Sequence, residues 1–305
     1  MIKDNIFKKV FSHFFEELGI PNLAISIQRS DFENLQKAHQ TIHEFIYLAT
    51  QIINADADFY AKSAFLYYHS EIFDQAHRSL LEALTGYYNS AYTLLRSTLE
   101  LLIRGAFWEC FAHRKYRDKA DVVKKTGRKI NKSKKTLIDW VNEIVIIRPS
   151  IEGELETFSA SIFDKTSPLF EDETLKKIIP NVKSIIEQLA GWNIFDPILD
   201  PTHYIYSFYK ELSADVHVIP DKTNIGKRLF AEKELYETAV IPEDLNKYAE
   251  TLHKVIDIGI VVELNILEDI ITKNENSIKW LRKELLKMKN LRLNYTSSKI
   301  LKITK

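Results

Sequence analysis

Residues 80–110, LLEALTGYYNSAYTLLRSTLELLIRGAFWEC, constrain this chain more than any other stretch. On one helix, turning about 100° per residue, Asn89, Thr93, Arg96, Ser97, Glu100 and Arg104 gather in a narrow sector. Tyr87, Tyr88, Tyr92, Leu94, Leu95, Leu99, Leu102, Ile103 and Ala106 fill the remaining surface. A helix with so little polar face belongs at the centre of a bundle. Apolar spacings in threes and fours recur along the chain, alternation of period two is scarce, and eight Gly and eight Pro are few for 305 residues. The expected fold class is all-α, a multi-helix bundle.

The pattern divides the chain into an N-terminal helical segment (1–60, broken at Gly19-Ile20-Pro21-Asn22), a bundle core (61–273) with a basic insertion at 113–135, and a basic C-terminal helix and tail (274–305). Within these, helices are expected over 31–53, 61–78, 136–147, 181–190, 203–218, 245–273 and 278–293. Gly127 and Asn131 mark 124–135 as a loop, two prolines mark 195–201 as a linker, and 294–305 reads as a frayed tail. Glu263 projects close to the apolar face of the 245–273 helix, so it needs a cationic or hydrogen-bonding partner.

Net charge is zero, yet the charges are segregated. Residues 113–135 carry eleven Lys/Arg against two Asp, and 279–305 carry nine against one Glu. Two basic blocks in a neutral chain point to local contact with an anionic partner, unless they are simply solvated faces. The single Cys110 cannot form an internal disulfide, which fits a reducing compartment. The first residues lack the apolar run of a signal peptide, and the most apolar later run, 255–271, holds Asp257, Glu263, Glu268 and Asp269. A cytoplasmic protein without a membrane partner is the expectation.

There is no Walker loop, GxGxxG, CxxC, HExxH or GxSxG, which excludes several common enzyme classes and any Gly-rich phosphate cradle. His39 and His43 have the i, i+4 spacing of metal ligands, but no HExxH accompanies them. Asp74-x-x-His77 is a single copy of a motif that di-iron bundles need twice. Neither completes a site by itself, so no metal and no cofactor are expected. The remaining constellation is helical. Arg96 and Glu100 lie one turn apart, as do Ser213 and His217. A guanidinium clamps phosphate and stabilises its developing charge, a histidine moves protons near neutrality, and Ser213 and Lys210 add contacts. These groups suffice for cleavage of RNA by attack of the 2′-hydroxyl on the adjacent phosphate. The alternatives are an ordinary ion pair worth a few tenths of a kcal/mol and a helix-end histidine held by the helix dipole.

The pattern YY-x-x-A-x-x-LLRS-x-LE (Tyr87, Tyr88, Ala91, Leu94, Leu95, Arg96, Ser97, Leu99, Glu100), followed by Y-x-x-LS-x-x-VH (Tyr209, Leu212, Ser213, Val216, His217), resembles prokaryotic helical proteins of the HEPN superfamily. The resemblance covers 61–273. It implies a HEPN-like helical core, frequent dimerisation and a setting in toxin–antitoxin, abortive-infection or RNA-processing systems, with RNA, a second copy of the chain or a partner protein as partners. Many such proteins are metal-independent ribonucleases with Arg-x(4–6)-His on one helix. Here six residues separate Lys210 from His217 and no arginine lies in the window. Lysine lacks the planar fork, so either Arg96 supplies the guanidinium from the neighbouring helix or cleavage is absent.

The resulting expectation is an RNA-binding protein, in its strongest form a defence-associated endoribonuclease. Arg96 would hold phosphate, His217 would act as general acid and base, and Glu100 and Ser213 would orient them. Substrate contacts would come from Lys210, Tyr92 and Tyr206, and from Arg114, Lys115, Arg117, Lys124, Lys125, Arg128 and Lys129 of the basic block beside Trp108, Phe111 and Tyr116. Two other readings stand beside it: a non-catalytic scaffold in which the four polar residues form a structural network, and a nucleotide or small-molecule sensor with a pocket at Tyr92, Arg96, Tyr206 and Tyr209.

Overall fold

A computed structural model describes residues 12, 27–28, 30–53, 62–125, 127–130, 133–146, 162, 164, 171, 173, 175–216 and 241–305. In chain order the elements are α1 (Phe32–Ile53), α2 (Ala64–Leu84), α3 (Tyr88–Ala112), α4 (Arg114–Arg117), α5 (Asp121–Lys125), β1 (Gly127–Ile130), β2 (Ser133–Thr136) and α6 (Leu137–Ile146). A 3-10 turn (Leu175–Ile178) then precedes α7 (Val182–Gly191), α8 (Pro201–Val216), α9 (Pro242–Ile266), α10 (Glu268–Thr272), α11 (Glu275–Asn290) and α12 (Asn294–Ile303). The architecture is an all-α bundle. Among the described residues, no helix is long and apolar enough to cross a membrane.

The stretch 80–110 is not one helix. Its first residues end α2, and a turn at Thr85–Tyr87 reverses the chain into α3. Gly86 takes a φ of 84°, Tyr87 N–H donates to Glu82 O (2.9 Å) and Gly86 N–H donates to Ala83 O (3.1 Å). This is a glycine-terminated Schellman ending, in which a residue without a Cβ occupies the left-handed position. The resulting α2–α3 hairpin is the core of the bundle. Gly105 of α3 lies against Tyr68 so closely that a Cβ there would be 3.1 Å from the tyrosine Cβ. Helix α9 in turn presents Gly259, where a Cβ would stand 3.1 Å from Leu102 and 3.4 Å from Phe45 of α1. Helices α7 and α8 also pack on α3. Leu95, Leu99, Leu102, Ile103, Ala106 and Phe107 are consequently buried.

Several helices begin on a polar side chain from another helix. Glu109 of α3 is buried, and its Oε2 accepts from Ser63 Oγ (2.7 Å) and Phe65 N (3.0 Å) at the start of α2. Asp257 of α9 accepts from Tyr295 N (3.0 Å), Thr296 N (2.8 Å) and Thr296 Oγ (2.7 Å), capping α12. Gln188 of α7 accepts from Val122 N (3.0 Å) and donates to Lys119 O (3.2 Å), fastening α5. Each carboxylate or amide satisfies amide groups that a helix start leaves open.

The Asp257 cap accounts for one departure from the sequence pattern. Residues 294–305 are not a frayed tail: α12 buries Ile300 and Lys299, the latter paired with Glu268 (2.7 Å), while Arg282 donates to Thr304 O. The basic stretch expected as a loop contains an antiparallel hairpin in which Ile130 pairs with Ser133 and Gly127 with Thr136, leaving two residues between the strands, the length favoured for tight hairpins. The expected 245–273 helix is divided at Leu267 into α9 and α10. The 195–201 linker is a turn anchored by the buried side chains of Phe195 and Ile198. One apolar cluster extends from Leu35 to Ile300, so α1 and α12 share the core with the 61–273 helices. The 19–22 break lies outside the described residues, as does the expected N-terminal helix apart from Ser12.

Glu263 is wholly buried, and its nearest cationic candidate, His69 Nε2, stands 3.8 Å away, beyond hydrogen-bond length. Burial pushes its carboxyl up to about 7. The folded state therefore holds the proton more tightly than the unfolded chain, whose ordinary value is 4.5. This stabilisation is complete below the unfolded value and is lost as pH rises through the folded one. Glu263→Gln removes that dependence: its stability relative to wild type should be roughly 2–3 kcal/mol more favourable at pH 8 than at pH 5, read from urea midpoints at the two pH values. Equal differences at both would show that Glu263 stays ionised throughout.

Candidate functional site

The polar edge of α3 is the part of that helix left uncovered by α2 and α9, and α8 packs along it. Arg96 Nε donates to Ser213 Oγ (2.9 Å) and Arg96 Nη2 donates to Tyr209 Oη (2.5 Å). Tyr209 Oη in turn donates to Glu100 Oε2 (3.0 Å), and Ser213 Oγ donates to the Tyr209 carbonyl (2.7 Å). Glu100 Oε1 receives Arg104 through Nε (2.9 Å) and Nη2 (2.8 Å), while Arg96 Nη2 lies 3.6 Å from Glu100 Oε2. The Arg96 guanidinium also stands 5.0 Å from the Tyr209 ring centroid. Two guanidinium groups share one carboxylate, so the seam carries one positive charge in excess.

The seam is half-buried, with the Arg96 side chain 30% exposed. Nε and Nη2 of Arg96 are engaged inside the protein, whereas Nη1 has no hydrogen-bond partner among the described residues. Part of the Arg96 side chain is open to solvent. Burial and the neighbouring Glu100 carboxylate raise the Tyr209 phenol above its ordinary value, so it remains a hydrogen-bond donor at neutral pH. Cys110 is buried and its thiol is pushed well up by burial, which removes it as a nucleophile.

Of the residues expected at the site, the structure brings together Arg96, Glu100 and Ser213. His217 lies outside the described residues; α8 is described to Val216. Lys210 is exposed and sits 4.6 Å from the Tyr206 ring, which Lys183 also approaches at 5.7 Å. This cation–aromatic patch occupies the same helix as Ser213. Tyr92 instead turns to Tyr248, ring to ring at 5.6 Å, so it packs on the core.

The basic block divides. Arg117 is buried and donates through Nη1 to Ala112 O (2.9 Å), closing the end of α3. Lys115 is ion-paired with Asp269. Lys124 is exposed and donates to Asp118 O (2.8 Å), and Lys125 is exposed. Arg114 lies on α4, and Arg128 and Lys129 on β1; their side chains are outside the described set. The structure thus turns Arg117 from a substrate contact into a helix terminator, because the last carbonyls of α3 need donors.

Tyr209 was expected only as a wall of a sensor pocket and Arg104 not as a site residue at all, although spacing points to both. Tyr209 precedes Ser213 by one turn, and Arg104 follows Glu100 by one turn. Among the described residues, the side chains whose ligand atoms converge as metal ligands do are His39, His43 and His77, on α1 and α2. Sequence spacing presents that group as two incomplete fragments, and the expectation of no metal rested on their separation. Comparison with protein-family models, curated proteins and solved structures finds no match.

Tyr209 is the hub of the seam, and Tyr209→Phe removes one hydroxyl that both receives Arg96 and donates to Glu100. The expected cost is about 1–2 kcal/mol, with less than additive loss when combined with Glu100→Gln, because both act on one network. Chemical denaturation of the two single variants and the double variant measures this. Strict additivity would mean the bonds contribute independently.

Proposed function

We propose that the chain is a HEPN-like helical protein that binds RNA through the α3–α8 seam, with metal-independent endonucleolytic cleavage as its activity. The observation that carries this reading is the meeting of two sequence patterns more than a hundred residues apart: Arg96 contacts both Tyr209 and Ser213. Arg96 then offers Nη1 to a phosphate oxygen, while Nε and Nη2 are held by Ser213, Tyr209 and Glu100. A fork held in this way loses little freedom on binding. Lys210, together with Lys183 and Tyr206, extends the cationic–aromatic surface along α8 for a neighbouring nucleotide. His217, the next residue after the described end of α8, supplies proton transfer: it takes the 2′-hydroxyl proton as that oxygen attacks phosphorus, and returns a proton to the departing 5′-oxygen.

A second reading has its own support. Arg96, Tyr209, Glu100, Arg104 and Ser213 are already bonded to one another, as a clamp between two helices of a scaffold would be.

Incubation of the untagged protein with labelled single-stranded RNA in EDTA separates the two. The nuclease reading expects cleavage by wild type and losses of about 100-fold or more in Arg96→Ala and His217→Ala. Equal cleavage by all three identifies a contaminant and overturns that reading. No cleavage, with Arg96→Ala losing only stability, is the outcome the scaffold reading expects.

A further inference from the structure

Helices α1 and α2 pack side by side, and three imidazoles meet along their outer surface. His39 and His43 are successive turns of α1, and His77 comes from α2. His43 Nε2 lies 3.1 Å from His39 Nε2 and 3.4 Å from His77 Nε2. One ring nitrogen from each residue falls within 4.8 Å of those of the other two. The ring centroids are 4.7, 5.3 and 4.9 Å apart, and each pair of rings is close to perpendicular. The rings are therefore T-shaped to one another and are not stacked on their faces.

A hydrogen-bond network explains this convergence only in part. A neutral imidazole has one N–H and one lone pair. Nδ1 of His77 lies 3.1 Å from the carbonyl of Phe73, a bond that requires the proton on Nδ1. His77 Nε2 then carries a lone pair, and it is directed at His43 Nε2. For His43 Nε2 to donate to one neighbour, it must leave the other facing it without a proton of its own to share. A single cation in the middle satisfies all three lone pairs at once. For the two pairs that include His43 the spacing fits, since zinc–nitrogen bonds of about 2.0–2.1 Å in a tetrahedral field put ligand nitrogens roughly 3.3 Å apart; the His39 and His77 nitrogens, within 4.8 Å of each other, would draw together on binding. The Phe73 carbonyl further fixes the His77 tautomer and orients its ring, the usual outer partner of a metal-bound histidine.

We propose that His39, His43 and His77 form a binding site for one divalent transition-metal ion of the zinc class, with three imidazole nitrogens as ligands. Imidazole sets of this kind suit zinc, copper and nickel and do not suit magnesium or calcium, which take oxygen ligands. Three protein ligands leave a fourth position of the tetrahedron for water or an external donor. His39 and His43 are exposed, so that position is reached from solvent. Beside it runs an apolar groove of about 380 Å³, lined by Phe32, Leu35, His39, His77, Leu80 and Leu84. The fourth ligand is thus a water or a donor group attached to an apolar body that the groove accommodates. The site uses none of Arg96, Tyr209 or Ser213, and it stands whether or not the seam cleaves RNA.

The test uses the full chain without a histidine tag. Protein stripped with EDTA and dialysed is titrated with zinc against a chromogenic chelator, and separately with cobalt(II) while the visible spectrum is recorded. The expected results are one saturable zinc per chain and the strong visible bands of four-coordinate cobalt. His43→Ala and His77→Ala should each weaken binding by more than about tenfold, whereas His203→Ala, an exposed histidine on α8, should bind as wild type does. Zinc should also raise the melting temperature of wild type and not that of His43→Ala, whose side chain is at the surface and whose fold circular dichroism verifies. Zinc binding unchanged in both ligand variants, or cobalt giving only the weak bands of an octahedral aquo ion, would overturn the proposal. RNA cleavage assayed in EDTA is independent of this site, so failure of either proposal leaves the other distinguishable.

Discussion

The close approach of α2 and α9 to α3 is the constraint on which the rest of the fold depends. At Gly105 the tolerance is set by Tyr68 Cβ, which is tied to its backbone and cannot give way; at Gly259 it is set by the ends of Leu102 and Phe45, which can adjust. Because both large neighbours come so near, α3 is covered almost everywhere, and its polar residues are confined to the edge where α8 arrives. The ion and hydroxyl groups of Arg96, Glu100, Tyr209 and Ser213 sit there as a consequence of packing. A bulkier residue at Gly105 would move a helix, and with it the geometry of that edge.

Polar side chains reaching between helices then set where the helices begin. Glu109, Asp257 and Gln188 each answer open backbone amides on a different helix. Such groups are costly to bury alone and stabilising when fully bonded. They also bring into the core segments whose own composition is unpromising, above all the basic C-terminal helix α12.

What could be read from the sequence follows from this division. Helix positions with apolar spacing of 3 and 4, such as α1, α7 and α11, were legible because periodicity is local. The turn at Gly86 was also written locally, as a glycine between two apolar runs, yet the unbroken apolar content of 80–110 obscured it. The ordering of 294–303 was not legible, since its cap lies on Asp257, far away in sequence. Half of the seam was visible in Arg96/Glu100 and Ser213, whereas the central part of Tyr209 emerged only when α3 and α8 were placed together. The same holds for the three histidines: each fragment has metal-like spacing, and only the packing of α1 on α2 completes the set.

The central functional claim is that Arg96 holds a phosphate. Fluorescence anisotropy of labelled single-stranded RNA, titrated with wild type and Arg96→Lys over a range of salt, tests it most directly. Lysine keeps the charge and loses the fork, so the account predicts weaker binding by Arg96→Lys with nearly the same salt slope, and Arg96→Ala with a slope lower by about 0.7 for the lost contact. Identical affinities and slopes for all three proteins would contradict it.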